Sequence, residues 1–317
     1  MTKIWVGVTD GNWFESLRDL APDEVNFWQP SSTRRFTAIE PGAPFLFKLH
    51  SPRNYIVGGG FFVRHTALPC SLAWSAFGEK NGVADLENFR TRIHKYRRSD
   101  RIEWDPTIGC SILTEPFFWP EDKWIPVPAD WAKNIVQGKT YDTDDAIGAE
   151  LWHDVLERLV QNVEYKEVRD GDHRYGVEYL ARARLGQGAF RILVTEAYQQ
   201  RCAITGGRIL PVLEASHIRP FAAEGPNRVS NGLLLRSDLH TLFDRGYLTV
   251  TPNFRIEVSK RIKEEFANGT EYYAHHGNAL VVLPGNSLER PAAQFLRWHN
   301  QHVYENADLE GPAPARA

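Results

Sequence analysis

The chain has 317 residues, 42% of them apolar and 24% charged, with a net charge of −3. That length allows two domains, each with its own core. No apolar run approaches the roughly 20 residues that cross a bilayer, and the N-terminal "MTKIWVGVTDG" has neither the apolar core nor the cleavage site of a secretory signal. The three cysteines, Cys70, Cys110 and Cys202, are odd in number and far apart, which excludes a disulfide framework and a CxxC zinc pair and points to a reducing, cytoplasmic setting.

In chain order, the first ~135 residues read as mixed α and β. "IWVGV" and "VNFW" have strand character, and "FLFKLHSPRNYIVGGGFFV" reads as two strands around a Pro-Asn turn. In "DLENFRTRIHKYRR", Leu86, Phe89, Ile93 and Tyr96 recur at helical spacing. "IGCSILTEPFFWP" is a further strand, and proline-rich "FFWPEDKWIPVPADW" closes the unit near residue 138. Eight of the ten tryptophans precede residue 135. Residues 139–180 carry 5 basic and 11 acidic side chains and begin a helix at "DDAIGAELWHDVLERLV", which reads as an acidic helical connector. "GQGAFRILVTEAYQQR" is the next helix, with Phe190, Val194 and Ala197 on one face.

From 181 to 261 the balance reverses, with 12 basic residues, 11 of them arginine, against 6 acidic. Arginine suits forked contacts with phosphate. Within this basic segment "CAIT" reads as one strand and "PVLEAS", closing on His217, as a second. A long loop, "IRPFAAEGPNRVSNG", contains Asn231, and "SDLHTLFDRG" is a short helix with Ser237 as its cap and Gly246 after its end. His240 and Asp244, four apart, share a face of that helix. "PAAQFLRWHNQHVY" is a closing helix, able to pack on this domain or on a partner chain, and 305–317 reads as a disordered tail.

"CAITG…LEASHIRP…SNGLLLRSDLHTLFDRG" resembles the HNH endonucleases, which carry the ββα-metal fold, and the lead-in "RLGQGAFRILVTEAYQQRC" is similar to that of HNH restriction endonucleases. The resemblance implies a nuclease domain over 181–304 with His217, Asn231 and His240 as its catalytic positions. His217, neutral at pH 7, would take a proton from water as general base. His240 would hold a divalent metal, Mg2+ by family expectation, with Mn2+, Co2+ or Ni2+ tolerated by an imidazole. Asn231 would brace the long loop, and Asp244 would orient the His240 ring. Many members place an aspartate ligand just before the base. Ser216 stands there in this chain, and Glu214, two residues back on the same strand face, is the other candidate ligand.

"PGAPFLFKLHSPRNYIVGGGFFV" looks like the EVE domain of the PUA superfamily. That likeness implies an α+β, two-domain protein: an EVE-like β-barrel with helices over 1–138, then the HNH domain. It also implies a reader that flips a modified base into an aromatic pocket. Trp28, Trp13, Phe62 and Trp74 are the candidate walls, with Asp10, Ser31 and Ser32 for the polar base edge. Arg34, Arg35, Arg219 and Arg236 are candidate contacts to the DNA backbone. The expected protein is thus a modification-dependent endonuclease. It would read 5-hydroxymethyl- or 5-methylcytosine in double-stranded DNA and act as a homodimer, since one HNH site nicks one strand. The alternatives are an HNH nuclease of RNA or unmodified DNA, and an inactive reader of modified DNA.

Overall fold

The computed structural model describes residues 2–33, 35–97, 103–162 and 185–304. The chain divides into two compact units, Met1–Gly186 and Gln187–Ala317, both of mixed α and β structure. The expectations for Arg34, for 163–180 and for the tail lie outside the described residues.

In the first unit, β1 (Lys3–Thr9) leads into α1 (Gly11–Leu20), followed by β2 (Glu24–Gln29), β3 (Pro44–Leu49) and β4 (Tyr55–Pro69). Then come α2 (Cys70–Phe77), α3 (Leu86–Arg97), β5 (Thr107–Phe118), β6 (Ile125–Pro126), β7 (Gly138–Asp142) and α4 (Ala146–Asn162). The strands form one sheet in the order β2-β5-β4-β3-β1-β7, with β6 on β4; β1 and β3 run parallel and the other pairs antiparallel. Among the described residues the pairing path ends at β2 and β7, and mixed α+β structure is what the unit shows of the expected barrel with helices. Period-two alternation sends Phe45, Phe47 and Leu49 of β3 to one core, with Trp13, Phe14 and Phe27, and Leu46 to the other, with Ile4, Ile56 and Trp119. A Cβ on Gly58 would lie 2.2 Å from the Phe117 carbonyl oxygen, so the β4–β5 approach requires glycine there.

The acidic connector is corrected over its first half. Residues 138–142 pair with β1 as the edge strand β7, and α4 lays Leu151 and Val155 into the second core. The helix carries only Glu150, Asp154 and Glu157 of the acidic residues in that stretch, none of them buried, while its apolar stripe is.

The second unit opens with α5 (Gln187–Ala197), then β8 (Leu213–His217) and β9 (Gly232–Arg236), an antiparallel pair, then α6 (Ser237–Asp244). The hairpin of β10 (Leu248–Val250) and β11 (Ile256–Val258) follows, then α7 (Arg261–Phe266), α8 (Thr270–Tyr273), α9 (Ala293–His299) and a π turn over Asn300–Tyr304. "CAIT" is a turn and not the first strand of the motif. Its backbone closes on itself through Cys202 N–H to the Gly207 carbonyl and Gly206 N–H to the Cys202 carbonyl, both 2.9 Å. The two strands are therefore β8 and β9. Ser237 is the first helical residue, with Arg236 in the capping position. Helix α9 packs on this unit's own core through Phe295 and Leu296.

Candidate active site

The hairpin β8–β9 and helix α6 assemble the site. His217 pairs with Gly232 in the last register of the ladder, so the histidine stands where the strand opens into the 218–231 loop. Its ring stacks on Phe190 of α5, with centroids 3.9 Å apart and planes 12° apart. That packing needs a bare backbone beneath it: a Cβ on Gly232 would sit 2.5 Å from Val194 Cγ2 and 3.1 Å from Phe190 Cζ. Burial pulls the His217 imidazole below its ordinary value and outweighs both the upward pull of the Asn227 hydrogen bond and the nearby Asp244 charge. The ring is neutral at pH 7, as a general base requires.

Asn231 is fully buried and ties the loop to itself. Its Oδ1 accepts from the Arg219 N–H at 2.9 Å, while its Nδ2 donates to the carbonyls of Arg219 at 2.9 Å and Pro226 at 3.0 Å. These bonds use three of the amide's four hydrogen-bonding sites, all on the segment that follows His217.

His240 lies between two carboxylates. Glu214 Oε2 is 2.6 Å from its Nδ1 and Asp244 Oδ2 is 3.2 Å from its Nε2. Burial lowers the affinity of the His240 ring for a proton, but the two carboxylates together reverse this, and the net direction is upward. With Nδ1 donating to Glu214, the Nε2 of a neutral ring is a lone pair meeting a carboxylate oxygen, and a proton or a cation between the two relieves that repulsion. One imidazole nitrogen with one carboxylate oxygen fits a divalent ion whose other positions are filled by water or substrate. No group of three or more His, Cys, Asp or Glu converges on a point among the described residues.

His217, His240 and Asp244 line one cleft of ≈360 Å3 together with Ala215, Ile218, Pro220, Phe221, His299 and Val303. Ser216, expected at a ligand position, is corrected: its neighbours on β8 face the cleft, while Ser216 is fully buried and lines no part of it. Arg236 is likewise corrected as a phosphate contact. Its guanidinium forks onto Asp238 at 2.6 and 2.7 Å and reaches Glu271 at 2.7 Å, so its charge is already matched. Arg219 donates to the Ala223 carbonyl at 2.5 Å and lies over the Trp298 ring at 5.6 Å, which stiffens the loop.

Sequence reasoning missed four residues here. Phe190 supports the His217 ring; Asn227, in a stretch read only as loop, accepts from His217 Nε2–H with Oδ1 at 2.7 Å. Phe221 is 62% exposed on the cleft rim. His299 stacks on Phe243 at 3.7 Å, donates to the Phe243 carbonyl and accepts from the Thr249 hydroxyl, which holds the end of α6.

The first unit scatters the residues expected to form its pocket. Trp13 and Phe62 are buried in the same core, Trp13 edge-on to Phe27 and Phe47, and Asp10 caps α1 by accepting from the Trp13 N–H at 2.7 Å. These three are structural. Trp28 and Trp74 are half-buried, and both pack on Phe89, at 5.3 and 6.3 Å. The Trp28 indole N–H donates to the Asn81 carbonyl at 3.0 Å. Ser31 and Ser32 follow β2 in a loop where Ser31 pairs with Thr33 at 3.0 Å, and Arg35 is exposed. Beside this group Tyr96 is 46% and Trp104 79% exposed, with Arg90 lying 4.2 Å over the Trp104 ring; neither aromatic stood out from the many core rings in the sequence.

Residues 202–251 match the family model described as HNH endonuclease. That segment contains His217, Asn231, His240 and Asp244, so the second unit carries an HNH endonuclease domain and the chain is a nuclease enzyme. No curated protein sequence matches the chain. Among solved structures, the ASCH protein of Zymomonas mobilis is 9% identical over 49% of this chain and 94% of its own, with a TM-score of 0.34. The modification-dependent restriction endonuclease TagI is 15% identical over 91% of this chain and 78% of its own, with a TM-score of 0.27. No helix among the described residues is long and apolar enough to cross a membrane.

Proposed function

We propose that this nuclease is a modification-dependent DNA endonuclease in which the second unit cuts and the first reads a modified cytosine, 5-hydroxymethyl or 5-methyl, flipped from the duplex. The observation that carries the cutting half is the single cleft lined by a neutral His217 and by the His240–Asp244 pair. In the proposed reaction His217 takes a proton from water, the water oxygen bonds to phosphorus, and the bond from phosphorus to the leaving sugar oxygen breaks. That oxygen takes a proton from solvent. His240 and Asp244 would hold a divalent ion, Mg2+ first among candidates, which supplies positive charge against the charge growing on the phosphate. Glu214, bonded to the far nitrogen, orients the ring. Glu214 and Asp244 thereby exchange the roles their spacing suggested.

The reading half rests on the half-buried Trp28 and Trp74 around Phe89, the exposed Tyr96 and Trp104, and the exposed Arg35. Aromatic faces recover the stacking a flipped base loses, and Arg35 suits a phosphate. A homodimer is part of the proposal because two such sites are needed for a double-strand break.

The test is a Mg2+-dependent digest of matched duplexes bearing plain, 5-methyl, 5-hydroxymethyl or glucosylated cytosine, with His217→Ala alongside. Cutting confined to one modified duplex and lost in the variant supports both halves. Equal cutting of all four removes the reader and leaves the nuclease.

A further inference from the structure

A histidine acts as base through one nitrogen only, and the group that holds the other nitrogen decides which. We infer that Asn227 is the residue that sets this choice for His217, acting as a positioning residue on the ring; the inference rests on His217 being the base. Its Oδ1 lies 2.7 Å from Nε2. An amide oxygen there accepts a hydrogen bond, so the ring proton resides on Nε2 and the lone pair on Nδ1. Among the described residues Nδ1 has no hydrogen-bond partner, and the ring lines the cleft, so this lone pair is the one offered to water. The opposite amide orientation would place a donor on Nε2 and a proton on Nδ1, which blocks the base.

The loop shows how Asn227 is itself held. Asn231 donates from Nδ2 to the carbonyl of Pro226 at 3.0 Å, and its backbone N–H donates to the carbonyl of Arg228 at 2.8 Å. The brace therefore grips the residues on both sides of Asn227. A chain of contacts runs from Asn231 through positions 226 and 228 to Asn227 and on to Nε2. Phe190, stacked flat on the ring, fixes its plane but accepts either of the two faces related by a half-turn about Cβ–Cγ, and the Asn227 bond selects the one with Nε2 toward the loop.

The test is a 15N–1H correlation of the histidine side chains in the full chain, assigned with His217→Gln and recorded above pH 8, with cleavage kinetics beside it. The expected wild-type result is His217 protonated on Nε2. Asn227→Leu, which removes the acceptor, is expected to mix the two tautomers and to lower kcat at least about tenfold, within the roughly 10²–10⁴ that a general base contributes, while KM holds. Asn227→Asp keeps an acceptor oxygen and is expected to keep the Nε2 proton and to recover most of the kcat lost in Asn227→Leu. A wild-type His217 protonated on Nδ1 overturns the inference, and so does an Asn227→Leu protein with unchanged tautomer and kcat. If the wild-type chain cuts no DNA, the base reading fails first. The wild-type spectrum then still decides whether Asn227 fixes the ring.

Discussion

Replacing Asn231 by alanine removes three hydrogen bonds from a side chain with no solvent exposure, two donated to carbonyls and one accepted from an N–H. At about 1 kcal/mol each, the second unit is expected to lose about 3 kcal/mol, roughly a hundredfold in its unfolding equilibrium. Bulk tryptophan fluorescence would follow the wrong transition, because nine of the ten tryptophans lie in the first unit and only Trp298 in the second. The assay is therefore urea unfolding of protein labelled with fluorotryptophan, reading the 19F line of Trp298. With a slope of about 2 kcal/mol per molar urea, the midpoint should fall by about 1.5 M. Asn231→Asp should do no better, since it keeps the acceptor for Arg219 N–H but points an oxygen at two carbonyls. A midpoint within about 0.25 M of wild type, with normal cleavage, would refute the idea that the loop depends on this amide.

Gly232→Ala should cost about 1–3 kcal/mol, read in the same unfolding assay, because its Cβ meets Val194 at 2.5 Å on a packed helix. His299 is buried and neutral, with its pKa pulled down to about 4 by burial. Its contribution is complete above the unfolded value of about 6.5 and is lost as pH falls toward 4, a decline of about 3 kcal/mol that His299→Gln should abolish in acid unfolding curves. His240 runs the other way without metal: its pKa is raised, so its contribution is full at low pH and fades as pH rises through the folded value. Glu214→Gln is expected to weaken Mn2+ binding about tenfold by titration calorimetry, and unchanged affinity would remove Glu214 from the metal's surroundings. Phe221→Ala should leave stability within about 0.5 kcal/mol while raising KM for DNA several-fold, since its exposed ring supports no core. An unmoved KM would return Phe221 to the ordinary surface.

The HNH domain was legible because its motif sits in a short run of sequence. His217, Asn231, His240 and Asp244 fall within 28 residues, and strand and helix periodicity places them at a strand end, a loop end and one helix face. What failed there depended on contacts across the fold. Ser216 looked available until packing buried it, and Arg236 looked free until Glu271, 35 residues away, proved to match its charge. In the front unit, aromatic content gave little guidance. A tryptophan in a sheet core and one on the surface have the same signature, and only burial separated Trp13 from Trp104. Charge misled in the same manner at 139–162, where an acidic face hid the apolar stripe of α4.

The ring beneath His217 belongs to α5, and the histidine that holds the end of α6 belongs to α9, so both supports fall outside the 202–251 segment that bears the recognisable motif. For anyone grafting this HNH domain onto another protein, the motif is therefore too short a cassette. A transplant that begins at 202 would leave His217 without Phe190, and one that ends at 251 would leave Phe243 without His299. A segment from Gln187 through Tyr304 keeps both supports, so fusion points belong beyond those two residues.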